Sequence, residues 1–160
     1  MIQHNFPPGQ IQKCQICNST ELVKVIELGN QPLANTLLQK IEDDDKIEKY
    51  PLNIVRCKEC TLLQIDYVVD QSKVYHPEYP YLPGITKTVD NEQLELSDYL
   101  YKNLDLKKSQ LVVDIGSNDG SLLKHFKKKG MKPLGVEPTN ISNIANQNGI
   151  KTIQSFFNKD

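Results

Sequence analysis

The chain has 160 residues, 38% of them apolar and 24% charged, with a formal net charge of −1 at pH 7. That length holds one ordinary domain or two small ones, and the composition is that of a soluble globular protein. The near-zero charge gives no pull toward nucleic acid or an anionic membrane. The start, "MIQHNFPPGQ", has neither the basic nor the apolar region of a signal peptide, and no apolar run has the length of a membrane span. A cytoplasmic location is therefore expected. There, the four cysteines serve as reduced thiols or metal ligands rather than as disulfides.

In chain order, residues 1–70 hold every cysteine and three short β-like runs, "ELVKVIEL", "YPLNIVRC" and "TLLQIDYVV", each bounded by turn formers. This reads as a small, β-rich lobe. Within it, "KIEDDDKIEK" (40–49) is a charge-dense loop or helix tip. Residues 71–106 form a Tyr/Pro loop, "YHPEYPYLPG", followed by a connecting helix on which Leu96, Leu100 and Leu104 recur at helical spacing and Tyr99 joins their face. From 107 to 160 the pattern is strand, turn, helix, strand, helix, strand, the start of an α/β sheet.

The cysteines form two C-x-x-C pairs, "CQIC" (14–17) and "CKEC" (57–60). Neither lies in the βαβ context of a thioredoxin-type redox motif. Cys14, Cys17, Cys57 and Cys60 together suit a tetrahedral Zn²⁺ ion, each two-residue spacer aiming two thiolates at one metal. Four sulfur ligands leave no position for water, so the zinc would be structural; free buried thiols are the alternative. The histidines (His4, His76 and His125) are isolated in sequence and read as surface or core residues.

The stretch "LVVDIGSNDGSLLKHF" (111–126) runs from a strand through two glycines into a helix. It departs from the G-x-G-x-x-G dinucleotide fingerprint, because Asn118 and Asp119 stand between Gly116 and Gly120. Gly116 would make the turn, and Gly120 a close packing contact or helix entry. The helix should bury Leu122, Leu123 and Phe126, end at Gly130, and carry Lys127–Lys129 as a solvated, dipole-complementing face. A strand at 134–136 then ends in Glu137, 23 residues after Asp114, and a third strand is expected over 152–156. An acid at a second strand end can accept the hydroxyl hydrogens of a ribose. A ligand with one ribose and no pyrophosphate fits, and S-adenosylmethionine (SAM) is such a ligand, with Asp114 facing its cationic end. The alternative is a sheet without ligand whose glycines and acids only make turns.

The segments "CQICNS", "ELGNQPLAN", "YPLNIVRCKECTLLQ", "YPYLPGITKT", "DIGSNDGSLLKHFKKKG", "LGVEPTNISNIA" and "GIKTIQSFF" together resemble the SAM-dependent sugar C-methyltransferases. That family joins an N-terminal four-cysteine zinc lobe to a class I methyltransferase domain, and the resemblance spans residues 14–157. It implies a fold in which an α+β, zinc ribbon-like lobe precedes the first part of a Rossmann-like, SAM-binding sheet. It places the cofactor on Asp114, Gly116, Asn118, Gly120 and Glu137, and a nucleotide-linked sugar beside Tyr79, Tyr81 and Thr86. One departure is that Pro83-Gly84-Ile85-Thr86 stands where the family often reads Ser-Ser-x-Ser. The family's later strands and catalytic base would lie beyond residue 160, so the chain is expected to be an N-terminal part, inactive alone, that a complementing C-terminal chain could complete. Two other readings stay open: a methyltransferase for another small acceptor, and a zinc-ribbon binding module without catalysis.

Overall fold

A computed structural model describes residues 7–35 and 46–158. His4 and most of the charge-dense segment at 40–49 lie outside the described residues. The chain divides into two compact units, Met1–Val74 and Tyr75–Asp160.

The first unit is β-rich. Strands β2 (Leu22–Pro32), β3 (Lys49–Cys57) and β4 (Leu63–Ile65) form an antiparallel sheet in the order β2-β3-β4. A separate two-stranded ladder pairs β1 (Gly9–Gln10) with β5 (Tyr67–Val68). The expected run 61–69 is thus two strands in two sheets, divided at Asp66. That residue is buried, its amide donates to the Asn53 carbonyl (3.2 Å), and its carboxylate accepts from the Asn53 side chain (3.3 Å). Its carbonyl accepts from the Ile11 amide (2.8 Å), so the residue joins the end of the β3 ladder to the chain beside β1. The register places Ile26, Ile54 and Ile65 in one cross-strand row and Val23, Arg56 and Leu63 in the next but one. Four of these apolar side chains, Val23, Ile26, Leu63 and Ile65, are exposed. The unit ends in a one-turn helix, α1 (Gln71–Val74), inside what reads in sequence as a loop. Asp70 accepts from the Ser72 amide (2.8 Å) and hydroxyl (2.6 Å), an N-cap arrangement.

The second unit carries helix α2 (Lys87–Asn103), then β6 (Leu111–Ile115), α3 (Ser121–Lys128), β7 (Lys132–Val136), α4 (Ser142–Gln147) and β8 (Thr152–Ile153). The three strands make a parallel sheet in the order β6-β7-β8. Its core joins Leu123 of α3, Ala145 of α4 and Ile150, with Val112 of β6 packed against them. Helix α3 ends in a Schellman motif: Gly130, at φ 81°, donates to the Lys127 carbonyl, and Met131 donates to that of Phe126. The third strand is shorter than the expected 152–156. Leu111, Val113 and Ile115, alternating with Val112, remain exposed, and β6 is an edge strand among the described residues. Parallel sheets normally have both faces covered, and this one has its helical core on one.

Helix α2 corrects an expectation. Leu96, Tyr99 and Leu104 are exposed, and Leu104 is already the C-cap. The face toward α3 is polar instead. Asp90 meets His125 Nε2 at 2.9 Å, and Lys129 reaches Asp98 at 2.7 Å and the buried Ser97 hydroxyl at 3.0 Å. His125 is a core residue, and Lys129 is no part of a solvated face: its apolar stem is buried and its charged head paired.

Candidate functional site

The two cysteine knuckles are built alike. Cys14 and Cys57 each accept, on the carbonyl, the amide four residues on (Asn18 at 3.0 Å, Thr61 at 3.1 Å). Each donates its own amide to the carbonyl five residues on (Ser19 at 2.8 Å, Leu62 at 2.9 Å). The fourth residue is left-handed in both, Asn18 at φ 61° and Thr61 at φ 64°. That is a common state for Asn and a costly one for a β-branched Thr. The first knuckle is fastened by the Gln15 amide on Gln64 Oε1 (3.0 Å), and the second by the Lys58 amide on the Glu21 carbonyl (2.9 Å).

These turns bring all four sulfurs within 4.8 Å of one another. Two of the separations, Cys14–Cys60 and Cys17–Cys57, are 3.5 Å. A tetrahedral zinc with bonds of 2.3 Å needs sulfur–sulfur edges of roughly 3.8 Å, whereas a disulfide needs about 2 Å. The cluster therefore fits a zinc ion. The backbone N–H of Cys17 pulls the Cys14 thiol down to about 6, and that of Cys60 lowers the Cys57 thiol. Both effects favour the thiolate that a metal binds, while burial and the neighbouring sulfurs push Cys17 up to about 12 and raise Cys60, so one thiol of each pair is primed and the other is not. Cys14 and Cys57 are buried and Cys17 is exposed, so the centre lies at the lobe's surface with its inner ligands sealed.

In the second unit, β6 ends at Ile115 and the chain crosses Gly116–Gly120 into α3. The glycines differ in purpose, as their sequence reading expects. At Gly116 (φ 78°) a Cβ would meet nothing within 4 Å, so the backbone faces open space. At Gly120 (φ 76°) a Cβ would stand 3.1 Å from the Ile150 side chain and 3.2 Å from Ala145, so this glycine lets helix and core close up. The Gly116 amide donates to the Val136 carbonyl (2.8 Å), which aligns the loop with the end of β7.

There Glu137 is buried, and its carboxylate has three donors. Oε1 accepts from the Thr139 amide (2.9 Å) and hydroxyl (2.7 Å), and Oε2 accepts from the Asn118 amide (3.1 Å). A carboxylate offers about four acceptor sites, so one on Oε2 remains for a further donor. Asp114, half-buried nearby, has its carboxyl pushed above the usual range by burial and then by the charge of Glu137. A cation would relieve both effects.

Asn118 sits at φ 50° with both polar side-chain atoms bonded: Nδ2 donates to the Tyr81 carbonyl (2.9 Å), and Oδ1 accepts from the Asp119 amide (2.8 Å). Tyr79 packs between Tyr75 (ring centroids 5.7 Å apart) and His76 (6.3 Å). The Tyr81 side chain is exposed, as is Thr86, which is the N-cap residue of α2. The structure thus gathers Asp114, Gly116, Asn118, Gly120 and Glu137 at the strand ends, and joins Tyr81 to them through its backbone. Sequence reasoning missed Asp119, Thr139 and Gly84. The signal for Thr139 was present, because Glu-Pro-Thr places a hydroxyl two residues after the acid. A cleft of about 460 Å³ behind the loop is lined by Gly84, Asp119, Lys124 and Lys127 among others, and by none of Asp114, Gly116 or Glu137. Among the described residues no helix is long and apolar enough to cross a membrane.

Residues 14–75 match the methyltransferase-family model described as "Putative zinc binding domain". The chain is also similar to the C-methyltransferase NovU of Streptomyces niveus, with 29% identity over 148 residues. The match covers 92% of this chain and 35% of that enzyme, so the chain spans about a third of the length of the curated relative it matches. The chain is thus similar to a C-methyltransferase over nearly its whole length, and its four-cysteine centre lies within the stretch that matches a zinc-binding domain.

Proposed function

We propose that the chain supplies the zinc lobe and the cofactor-loop side of a SAM-dependent C-methyltransferase, with a Rossmann-like cofactor domain, whose acceptor is a nucleotide-linked ketosugar. The observation that carries this reading is the union of the Gly116–Gly120 loop with Glu137, made by the Asn118 amide on Oε2. It leaves open backbone at Gly116, one acceptor site on Glu137 for a ribose hydroxyl, and Asp114 as the anion for the methionine end. Bound SAM supplies an electrophilic methyl group on a sulfonium. A carbon nucleophile beside a ketone needs a base to remove its proton, and no described residue holds that position. In this reading the 160 residues alone bind SAM weakly and turn over nothing. The exposed Leu111, Val113 and Ile115 and the β6 edge are then covered by a further polypeptide.

The test is to titrate SAM into the isotope-labelled chain and follow the amide resonances of 114–120 and 137. Shifts centred on those positions are expected. In a longer protein carrying this segment, Glu137→Ala should weaken SAM binding by about 1–3 kcal/mol, and Gly116→Val should abolish it by blocking the open side of the loop. No shift at millimolar SAM, or unchanged affinity in both variants, would leave the loop as a turn only. Methyl transfer from labelled SAM to a panel of nucleotide ketosugars and other small acceptors distinguishes the acceptor class. One observation favours a second reading. The exposed side chains of Val23, Ile26, Leu63 and Ile65, in two cross-strand rows, suit a lobe that docks a partner protein, which a chain with no SAM response would support.

A further inference from the structure

Three hydrogen bonds fasten the tyrosine loop of the second unit to the strand-end loops. The Asn118 side chain donates to the Tyr81 carbonyl (2.9 Å). The Gly84 amide donates to Asp119 Oδ2 (3.0 Å), and the Asn140 amide donates to the Pro77 carbonyl (3.1 Å). The approach at Gly84 is close: a Cβ there would lie 2.5 Å from Asp119 Oδ2. That oxygen is not free to swing away, because Asp119 Oδ1 is held by the Ser121 amide in the first turn of α3 (3.1 Å).

Asn118 is the node of this arrangement. Its amide reaches Glu137 Oε2, its Nδ2 reaches Tyr81, and its Oδ1 fixes the amide of Asp119, the residue that receives Gly84. All three bonds come from one residue in the left-handed conformation, which Asn tolerates better than most side chains. The remaining acceptor site of Glu137 is on the oxygen that holds the Asn118 amide. A hydroxyl arriving there shares that oxygen, and the amide must adjust to it.

We propose that Asn118 is a positioning residue that couples the Glu137 carboxylate to the tyrosine loop, so that occupancy of Glu137 by a hydroxyl-bearing ligand sets the placement of residues 81–86. The coupling rests on the reading of Glu137 as the ribose acid only for the identity of the ligand; the tether from Glu137 to Tyr81 exists without one. Linkage makes the effect reciprocal: a ligand that orders the tyrosine loop tightens the site at Glu137 by the same factor. Cofactor and acceptor-side ligand would therefore each favour binding of the other.

Amide hydrogen exchange, read residue by residue on the full chain, tests it in two arms. Without ligand, Asn118→Asp removes the donor to Tyr81 and keeps the acceptor for Asp119. Asn118→Gly removes both and keeps the left-handed turn. Each should speed exchange at Gly84 and Ile85 by about tenfold. The core amides of Leu123 and Ala145 should stay as in the parent, which separates loss of the tether from loss of the fold. Exchange at Gly84 and Ile85 within twofold of the parent in both variants would overturn the proposal. In the second arm S-adenosylhomocysteine is added. Slower exchange at Gly84 in the parent, absent in Asn118→Asp although resonances at 116–120 still shift, is the expected result. Ligand shifts at 116–120 with Gly84 unmoved in the parent would overturn the coupling and leave the cofactor reading intact. No ligand shift anywhere would overturn the cofactor reading and, with it, the ligand-driven half of the proposal.

Discussion

Of the ten apolar side chains buried among the described residues, three lie in the first unit, and two of those are the zinc-site cysteines Cys14 and Cys57. Val55 is the third. The other seven, among them Leu123, Phe126, Ala145 and Ile150, lie in the second unit. The first unit also exposes more of its apolar strand residues than it buries. At about 1.5–3 kcal/mol for each fully buried aliphatic side chain, a lobe with one such residue cannot offset the entropy of ordering its backbone. The second unit can go much of the way by packing. Two neighbouring pieces of one chain therefore reach order differently, one through ligand bonds to a metal and the other through a hydrophobic core.

Metal removal should break this comparison most sharply. One zinc per chain is expected, and a strong chelator should unfold the first unit while the second keeps its amide resonances. Structural zinc contributes on the order of 10 kcal/mol in small metal-dependent folds. Cys57→Ser should have the same selective effect, because it removes a buried ligand at the end of β3 and disrupts the second knuckle. Elemental analysis finding under half an equivalent in protein made with ample zinc, or a first unit that survives chelation, would show that the lobe is held by something else.

This division was partly legible in the sequence. Two C-x-x-C pairs accounting for every thiol announce their metal chemistry by spacing alone. The strand-loop-helix of 111–126 is equally plain, because glycine positions and apolar runs are local features. What failed was of another kind. Periodicity found an apolar stripe on α2 but could not say which side faces the protein. The packed side adjoins that stripe, where Asp90, Ser97 and Asp98 meet His125 and Lys129 from α3. The split of 61–69 falls at Asp66, whose backbone meets Asn53 on one side and Ile11 on the other, both distant in sequence. The tether from Asn118 ends on the Tyr81 carbonyl, and a backbone acceptor leaves no mark in the sequence. Beyond the short elements α1 and β1, long-range polar pairs were what the sequence hid.

A smaller effect, aimed at the other unit, sharpens the contrast. Leu123 is fully buried at the centre of the α3–α4 core. Leu123→Ala should destabilise the second unit by about 3 kcal/mol, from lost transfer free energy and the cavity left behind. Urea unfolding followed on second-unit resonances measures it, and the zinc content should not change. A variant that lost zinc in parallel would show that the two units fold as one.

The smallest expected effect concerns pH, where the units should differ in sign. Acid protonates thiolates, so the first unit loses its metal and its order as pH falls. Asp114 acts the other way. Burial and the charge of Glu137 raise its folded-state pKa above the unfolded value, so the fold prefers the neutral acid. The contribution of this group is most favourable below the unfolded pKa, near 4. It declines as pH rises through the raised folded-state value and is then constant. Asp114→Asn removes the penalty. It should make the second unit more stable than the parent at pH 7, by less than about 1 kcal/mol because the group is half exposed and screened, and equal to it below roughly pH 4. Denaturant titrations of second-unit resonances at the two pH values measure the difference. A variant less stable than the parent at pH 7 would mean that the Asp114 carboxylate already has a compensating partner. A cationic ligand at Asp114 should shrink the difference, since it stabilises the ionised form that the folded chain alone disfavours.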